Sequence, residues 1–410
     1  MVGGYLRVIR NPRYFPVWLG QLISNLGDTV NYVALVVWIF KITGSGLALS
    51  TLVLFQIVPA ILIAPLAGVV IDRFPRKHVL IAADLVRAGL VVGLVFANAA
   101  WQIYVLAFGL ALAGTFFTPA LAASIPALVA GDDLLAANSV AWSTAQLVQI
   151  LGSAVAGGLI ALLDTRWAFG FNAASFLVSA GSIALVAFPA TIRTVGSSPR
   201  AYFQSLREGM TYARVNPFVS RLMVIQVLAS LSVGATSALL VVLAERRYHL
   251  PGAGFATFLF AIGLGAFLGP LILGAVTRNY RDRRLLFFPY IVRGAGDILL
   301  GLLTIPVLGQ IVLLIYGLNT SSGMVTYQSV MQAEVPDAMR GRVFTLMDAG
   351  WNSSRLVSIA LGGLLADRFG IMVVYYDGGA LLIGAGLLGL LTVRLGTDRP
   401  TDAMEACRAT

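Results

Sequence analysis

The chain has 410 residues, of which 58% are hydrophobic and only 11% are charged. A soluble domain of this composition would lack the polar residues needed to cover its surface, which excludes a soluble globular protein. The net charge of +10 does not indicate nucleic-acid binding, because the basic residues lie between apolar runs and not along one face. With one cysteine and two separated histidines, no disulfide, metal site or cofactor is expected.

Windows of about 19 residues predict twelve membrane-spanning helices joined mostly by short loops, which is an all-α integral membrane fold. The first six predicted spans lie near 14–40, 47–71, 79–97, 101–125, 139–163 and 168–189. The second six lie near 219–244, 254–277, 285–305, 308–330, 343–365 and 371–393. The first apolar run is too long for the core of a secretory signal peptide, so it is interpreted as the first span.

Lysine and arginine are distributed unevenly between the two sides of these spans. If the N-terminus is cytoplasmic, the cytoplasmic segments carry 20 of the 28 Lys and Arg residues and the opposite side carries five. Because basic loops remain in the cytoplasm, both termini are predicted to be cytoplasmic, in the inner (plasma) membrane of a bacterium.

Part of the sequence is repeated at an offset of 206 residues. The segment Gly68 to Leu80 resembles the segment Gly274 to Leu286, and the same offset relates Arg87 to Arg293. Two six-helix halves in the same orientation are therefore predicted, as in transporters built from internal repeats. The predicted domains are an N-terminal half over 1–190, a linker over 191–218, a C-terminal half over 219–396 and a cytoplasmic tail over 397–410.

The linker contains apolar residues at helical spacing, namely Phe203, Leu206, Met210 and Ala213, with arginines around the other side. This pattern predicts an amphipathic helix that lies on the inner leaflet, with its arginines near anionic lipid head groups. The same helix serves as the tether between the two halves.

The turn between spans 2 and 3 carries a motif that identifies a family. The pattern Gly-x-x-x-Asp-Arg-x-Gly-Arg-Lys is matched by Gly68, Asp72, Arg73, Arg76 and Lys77. Pro75 replaces the second glycine of the motif, which makes the turn stiffer. On this motif the whole chain resembles the major facilitator superfamily, which implies two six-helix halves related by a pseudo-two-fold axis and transport by alternating access.

The resemblance also implies a role for the motif aspartate. Asp72 is expected to hold the cytoplasmic end of span 2 against span 11, where Arg342 is the candidate partner. The linker sequence over 207–217 is similar to the branch that contains enterobactin exporters and macrolide-type efflux proteins. Span 5 departs from the drug antiporters of the superfamily, because Ser153 stands where they carry a proline.

A charge at the centre of a bilayer costs at least about 2.5–3.5 kcal/mol, so an intramembrane charge needs a partner, water or a function. Asp28 lies near the centre of span 1, with Asn25 and Asn31 one turn to either side. Its counterpart in the second half is Val233, so the duplicated scaffold does not require the acid. Asp28 is therefore the candidate proton-coupling residue. The structural alternative is an acid neutralised by a fixed arginine.

Two further pairs of charges lie inside the spans. Asp84 and Arg87 are three residues apart, and Arg293 and Asp297 are four apart. Both spacings allow pairing within one helix, so these residues are interpreted as structural charge pairs.

Arg355, near the middle of span 11, is expected either to bind an anionic group of the substrate or to pair with Asp28. Other polar and aromatic residues are candidates for the substrate cavity, although the polar ones are equally suited to interhelical hydrogen bonds. The full candidate set is Asn25, Asn31, Tyr32, Gln146, Gln149, Asn319, Gln328, Asn352 and Arg355.

These features predict a secondary transporter that acts as a monomer, with protons, a small-molecule substrate and the lipid bilayer as partners. The leading hypothesis is a proton-coupled exporter of amphipathic small molecules such as drugs or siderophores. The alternatives are a uniporter or importer of a small metabolite, a lipid flippase, and a membrane sensor. An enzyme is not expected, because neither a Ser/His/Asp set nor a phosphate-binding glycine loop is present.

Overall fold

The computed structural model describes residues 7–129, 133–188, 199–250, 254–276 and 283–393, and its elements in these ranges are all helices. The first seven are α1 (Tyr14–Thr43), α2 (Gly46–Arg73), α3 (Arg76–Phe96), α4 (Ala100–Leu128), α5 (Leu134–Leu162), α6 (Thr165–Leu185) and α7 (Pro199–Val215). The others are α8 (Pro217–Ala238), α9 (Leu240–Arg246), α10 (Phe255–Val276), α11 (Arg283–Leu302), α12 (Pro306–Glu334), α13 (Asp337–Phe369) and α14 (Ile371–Thr392).

The predicted all-α membrane fold is confirmed. Helices α1 to α6 correspond to the first six predicted spans, and α10 to α14 correspond to the last five. The seventh span is divided at Leu239 into α8 and the short α9, which the sequence did not predict. Eight of the described helices are long and apolar enough to cross a bilayer, and three others contain shorter apolar stretches.

Turn residues explain where the helices end. Gly44 ends α1 with a φ of 61°, in the left-handed region that glycine adopts without strain. The hydroxyl of Ser45 then accepts a hydrogen bond of 3.2 Å from the amide of Ala48 and caps α2. Gly370, with a φ of 89° and a ψ of 156°, separates α13 from α14 in a conformation that residues other than glycine rarely adopt. The chain therefore reverses direction over one or two residues at these points.

Contacts between Cα atoms divide the chain into two compact units. The first consists of 1–202 and 238–263, and the second of 203–237 and 264–410. In the first unit α1 packs against α5 and α6, α3 packs against α4 and α6, and α2 packs against α4. In the second unit α11 packs against α12 and α14. The first unit thus includes α9 and the start of α10, which the predicted domains assign to the C-terminal half.

The linker helix α7 forms as predicted, but its apolar side contacts protein. Ala213 is 3% exposed and lies in the core of the second unit with Val343 and Leu346 of α13, and Leu206 packs against the same cluster. Met210 is exposed, and the side chain of Phe203 lies outside the described residues. Leu206 and Ala213 therefore pack on protein, while the expected position of the arginines near lipid head groups remains a prediction.

Two further contacts join α7 to α13. The Nε of Arg342 lies 2.5 Å from a carboxylate oxygen of Glu208, in an ion pair that is partly exposed. A Cβ atom added to Gly209 would lie only 2.7 Å from the carbonyl oxygen of Arg342. The close approach of the two helices therefore depends on the absence of a side chain at position 209.

We expect Gly209→Ala to loosen α7 from α13, because backbone atoms cannot yield to the added methyl group. Trypsin should then cleave after Arg207 and Arg214 faster than in the unaltered protein, as measured by mass spectrometry of the fragments. Gly341→Ala is the matched control, since a Cβ there meets no atom within 4 Å. Glu208→Gln should have a smaller effect, because a partly exposed ion pair contributes at most about 1 kcal/mol.

Glycines also allow α11 and α14 to pack closely. A Cβ on Gly294 would lie 2.6 Å from the carbonyl oxygen of Gly379, and a Cβ on Gly379 would lie 2.5 Å from that of Gly294. Small residues facing each other let helix backbones approach within a membrane, where packing and not the hydrophobic effect drives association. This pair therefore stabilises the second unit.

Gly379→Ala should lower the stability of the second unit by about 1–3 kcal/mol, the usual effect of overpacking. The measurement is the thermal unfolding midpoint in detergent. Gly384→Ala on the same helix is the control, because a Cβ at that position meets nothing within 4 Å. Equal midpoints for the two variants would contradict the expected clash.

Candidate functional site

In the first unit, Asp28 of α1 faces a cavity of about 350 Å³. The residues that line it are Asn25, Asp28, Thr29, Tyr32, Ala145 and Val148. The side chain of Asp28 is 45% exposed, so its carboxylate is accessible from the cavity. Asn31, by contrast, is buried and is not among the lining residues, so Asn25 and Tyr32 share the cavity with Asp28 and Asn31 does not.

Arg87 of α3 is the cation of the site. Its Nη1 lies 3.9 Å from Oδ2 of Asp28, and its Nη2 donates a short hydrogen bond to Oδ1 of Asp84. The guanidinium lies between two aromatic rings, 4.1 Å from the centroid of Phe117 and 4.4 Å from that of Phe176. Cation–π contacts of this kind offset part of the free-energy cost of removing the guanidinium from water, and they hold it in place.

Asp84 is completely buried, and its carboxylate accepts hydrogen bonds from residues of two helices, α3 and α6. Besides Arg87, it accepts a hydrogen bond of 2.6 Å from the hydroxyl of Ser179 in α6. The Ser179 oxygen accepts in turn from Nε2 of Gln21 in α1, at 2.9 Å. The predicted pairing of Asp84 with Arg87 is confirmed, and the chain of hydrogen bonds connects it to the helix that carries Asp28.

One cation is therefore shared by two carboxylates of unequal environment. Asp84 is buried and directly hydrogen-bonded to Arg87, whereas Asp28 is half-exposed and lies farther from the guanidinium. A buried acid that is paired and hydrogen-bonded keeps its charge compensated. Of the two acids, Asp28 is the one that lies farther from the guanidinium and has access to a cavity.

The second unit places Arg293 on α11 in a comparable position, 206 residues after Arg87. Its guanidinium lies 4.0 Å from the ring centroid of Tyr316, donates a short hydrogen bond to that hydroxyl, and lies 3.4 Å from Oγ1 of Thr320. The predicted ion pair with Asp297 is wrong as a direct contact, because Arg293 is turned toward α12. Asp297 is buried, and its Oδ2 has no hydrogen-bond partner among the described residues.

A cavity of about 190 Å³ lies beside Arg293 in the second unit. Its polar lining includes Gln226, Tyr290, Asn319, Thr320, Tyr327 and Asp348. Of the candidate cavity residues in this unit, Asn319 is therefore placed in a cavity. Asn352 donates to the carbonyl of Asp348 within its own helix, and Gln328 is exposed.

Arg355 is half-buried on α13, and within the described residues of the second unit its guanidinium has no ion-pair partner. Its expected roles as a ligand of a substrate anion or a partner of Asp28 remain predictions. The side chains of Gln146, Gln149 and Asp72 lie outside the described part of the chain, as do the surroundings of Gly68.

Two cations of the family motif bind backbone carbonyls in the first unit. Nη1 of Arg76 donates to the carbonyl of Ala123 in α4 at 2.6 Å. Nζ of Lys77 donates to the carbonyls of Ala184 and Val186 at the end of α6, at 2.7 and 2.9 Å. The position of Lys77 is favourable because the last carbonyls of a helix lack intrahelical donors. Arg73 is exposed.

The proposed partner of Asp72 has a different contact in the structure. Arg342 pairs with Glu208 of the linker helix, as described above, so its guanidinium is already engaged. The reason is proximity, because α7 packs directly over the start of α13. Sequence reasoning did not find Glu208, Ser179, Phe117, Phe176 or Tyr316, since none of them lies at a diagnostic spacing from the charge it contacts.

Together, the helical fold and the charge cluster beside a cavity define a multi-pass membrane transporter. The family profile of the Major Facilitator Superfamily matches residues 17–347 and 222–406, and the chain belongs to this family.

Several relatives match nearly the full length of the chain. The Uncharacterized MFS-type transporter YfiS of Bacillus subtilis (strain 168) is 28% identical over 397 residues, covering 92% of this chain and 93% of its own. Macrolide efflux protein A of Streptococcus pyogenes is 24% identical over 381 residues, covering 90% and 93%. Enterobactin exporter EntS of Escherichia coli O1:K1 / APEC is 26% identical over 347 residues, covering 82% and 80%.

Solved structures support the same fold. A crystal structure of the nucleoside transporter NupG matches with a TM-score of 0.75 and 11% identity, covering 92% of this chain and all of that one. A bacterial homologue of the iron transporter ferroportin in the inward-facing state matches with a TM-score of 0.71 and 18% identity, covering 92% and 97%. At these identities the likeness shows the fold alone.

Proposed function

We propose that this transporter is a proton-coupled exporter of amphipathic small molecules such as drugs or siderophores, and that Asp28 carries the coupling proton. The observation that carries the proposal is the position of Asp28, half-exposed in a cavity and only 3.9 Å from a cation already bonded to Asp84. Because Arg87 is shared with Asp84, it neutralises the negative charge of Asp28 only in part. A proton on Asp28 would neutralise the rest of that charge.

The proposed cycle uses this competition. When Asp28 is protonated, Arg87 is free to interact with Asp84 alone; when Asp28 is ionised, it attracts Arg87 away from Asp84. Because Arg87 lies on α3 and Asp28 on α1, proton transfer changes the force between two helices of the first unit. A change of this kind can bias an equilibrium between conformations, which is what coupling requires.

The substrate class and the direction rest on the relatives. Two of the proteins that match over most of the chain are named for the efflux of a macrolide and the export of enterobactin. Both names describe movement out of the cell. We therefore propose export, with both termini in the cytoplasm of a bacterial inner membrane and a single chain as the functional unit.

The test is transport by the purified chain in proteoliposomes of known orientation. A panel of macrolides and catechol siderophores is supplied on the cytoplasmic side of the transporter, and a pH gradient is imposed with or without a proton uncoupler. We expect accumulation on the extracellular side that requires the gradient and stops with the uncoupler. Substrate transport that is unaffected by the gradient would indicate a uniporter, and transport in the reverse direction would indicate an importer. Translocation of labelled phospholipid would indicate a flippase, and the absence of any transport would indicate a sensor.

A further inference from the structure

The second unit contains a large cavity that the proposed transport mechanism does not use. It has a volume of about 810 Å³ and lies among α10, α11, α12 and α14. Ligand sites for small organic molecules commonly have volumes of roughly 300–1,000 Å³. The residues that line it are Gly269, Ile272, Arg283, Arg284, Leu285, Phe288, Pro289, Leu318, Asn319, Ser322 and Leu390.

The polarity of this cavity changes along its length. Arg283 and Arg284, both exposed, are the first two residues of α11. The wall beyond them is apolar and open, since Ile272 is 50% exposed and Phe288 is 56% exposed. A helix rises about 1.5 Å per residue, so Pro289 lies roughly 9 Å deeper than Arg283.

The cationic end favours an anion for two reasons. Arg283 and Arg284 both line that end of the cavity, and a guanidinium group pairs with phosphate through parallel hydrogen bonds. The N-terminus of α11 also presents backbone amides that no helical carbonyl accepts. Among the described residues that line the cavity, none is acidic. The cavity therefore combines a cationic mouth with an apolar wall.

We propose that this cavity binds one acidic phospholipid, with the phosphate at Arg283 and Arg284 and an acyl chain along Ile272, Phe288 and Leu318. Charge complementarity identifies the occupant, because basic pockets between transmembrane helices bind acidic lipid head groups. The arginines lie at a helix end, which is the depth of the head groups, and the exposed wall is open to hydrocarbon.

The experiment is native mass spectrometry of the purified full-length chain, titrated with phosphatidylglycerol or phosphatidylcholine. We expect one phosphatidylglycerol to be retained in preference to phosphatidylcholine. The double variant Arg283→Gln, Arg284→Gln should bind it roughly thirtyfold more weakly, given the usual contribution of each arginine to acidic-lipid binding. Ser322→Phe, which fills the cavity and keeps both arginines, should also lose the bound lipid.

The matched control is Arg207→Gln, Arg214→Gln on α7, which removes the same charge from exposed positions outside the cavity. This control variant should retain the lipid as the unaltered chain does. If it lost as much lipid as the Arg283→Gln, Arg284→Gln variant, general surface charge would explain the effect. Equal retention of the two lipids, or competition by inorganic phosphate at equal concentration, would overturn the proposal.

A transported compound is the other possible occupant. Pro289 and Asn319 line both this cavity and the smaller one beside Arg293, so the two are adjacent. Release of bound phosphatidylglycerol by a compound that the chain exports would identify a cargo site and overturn the lipid assignment. Since lipid retention is measured without transport, its outcome is independent of whether export is proton-coupled.

Discussion

Replacing Asp28 with asparagine is expected to reduce pH-driven export to the level of protein-free vesicles. Asparagine has nearly the same size and keeps hydrogen-bonding capacity, but it cannot take up or release a proton. Arg87 would then remain with Asp84 in every conformation, since no second carboxylate competes for it. The measurement is substrate flux in proteoliposomes at a fixed pH gradient, together with substrate binding to the purified variant.

The variant should fold and bind substrate, because the asparagine is accommodated in the same half-exposed position. Asp164→Asn is the control. Asp164 precedes α6 outside the spans, where hydrogen bonds from the hydroxyl and the amide of Thr165 hold the pKa of its carboxyl below the usual range. Asparagine is also a good helix cap, so this variant should export normally. Full pH-driven export by Asp28→Asn would remove Asp28 from the mechanism.

Arg87→Leu is expected to destabilise the first unit by about 3–5 kcal/mol, the effect of removing one partner from a buried ion pair. Asp84 would remain buried with only the Ser179 hydroxyl to compensate its charge. The measurement is the free energy of unfolding in detergent.

A second substitution tests the assigned cause. If the uncompensated carboxylate is responsible, Asp84→Asn in the Arg87→Leu background should recover most of the lost stability. Arg214→Leu, at an exposed position on α7, should have little effect. Failure of Asp84→Asn to restore stability would show that Arg87 contributes by packing on the aromatic rings and not by its charge.

The charge cluster shows which contacts can be predicted from residue spacing within one helix. The spacing of Asp84 and Arg87 predicted their pairing, because residues three apart on a helix are neighbours whatever the tertiary fold. The same argument failed for Arg293 and Asp297. There, the hydroxyl and the ring of Tyr316 attract the arginine. A spacing within one helix cannot predict this contact, because Tyr316 lies on another helix, 23 residues away.

The linker helix shows the same limit for amphipathic patterns. Its periodicity predicted the helix correctly, since hydrophobic residues at helical spacing define one apolar side. That pattern does not specify what covers the apolar side, because lipid and protein are both apolar surroundings. Only the position of α13 decided that Leu206 and Ala213 pack on protein and that Arg342 pairs with Glu208.

By itself the sequence determined the membrane class, the twelve spans and the unusual acid in the first, since these depend on hydropathy and on residues adjacent along one helix. The tertiary structure decided that Asp28 shares Arg87 with Asp84, and that Arg283 and Arg284 stand at the mouth of an apolar cavity. Those arrangements join residues from different helices. Their geometry follows from how the helices pack, which no periodicity within one helix encodes.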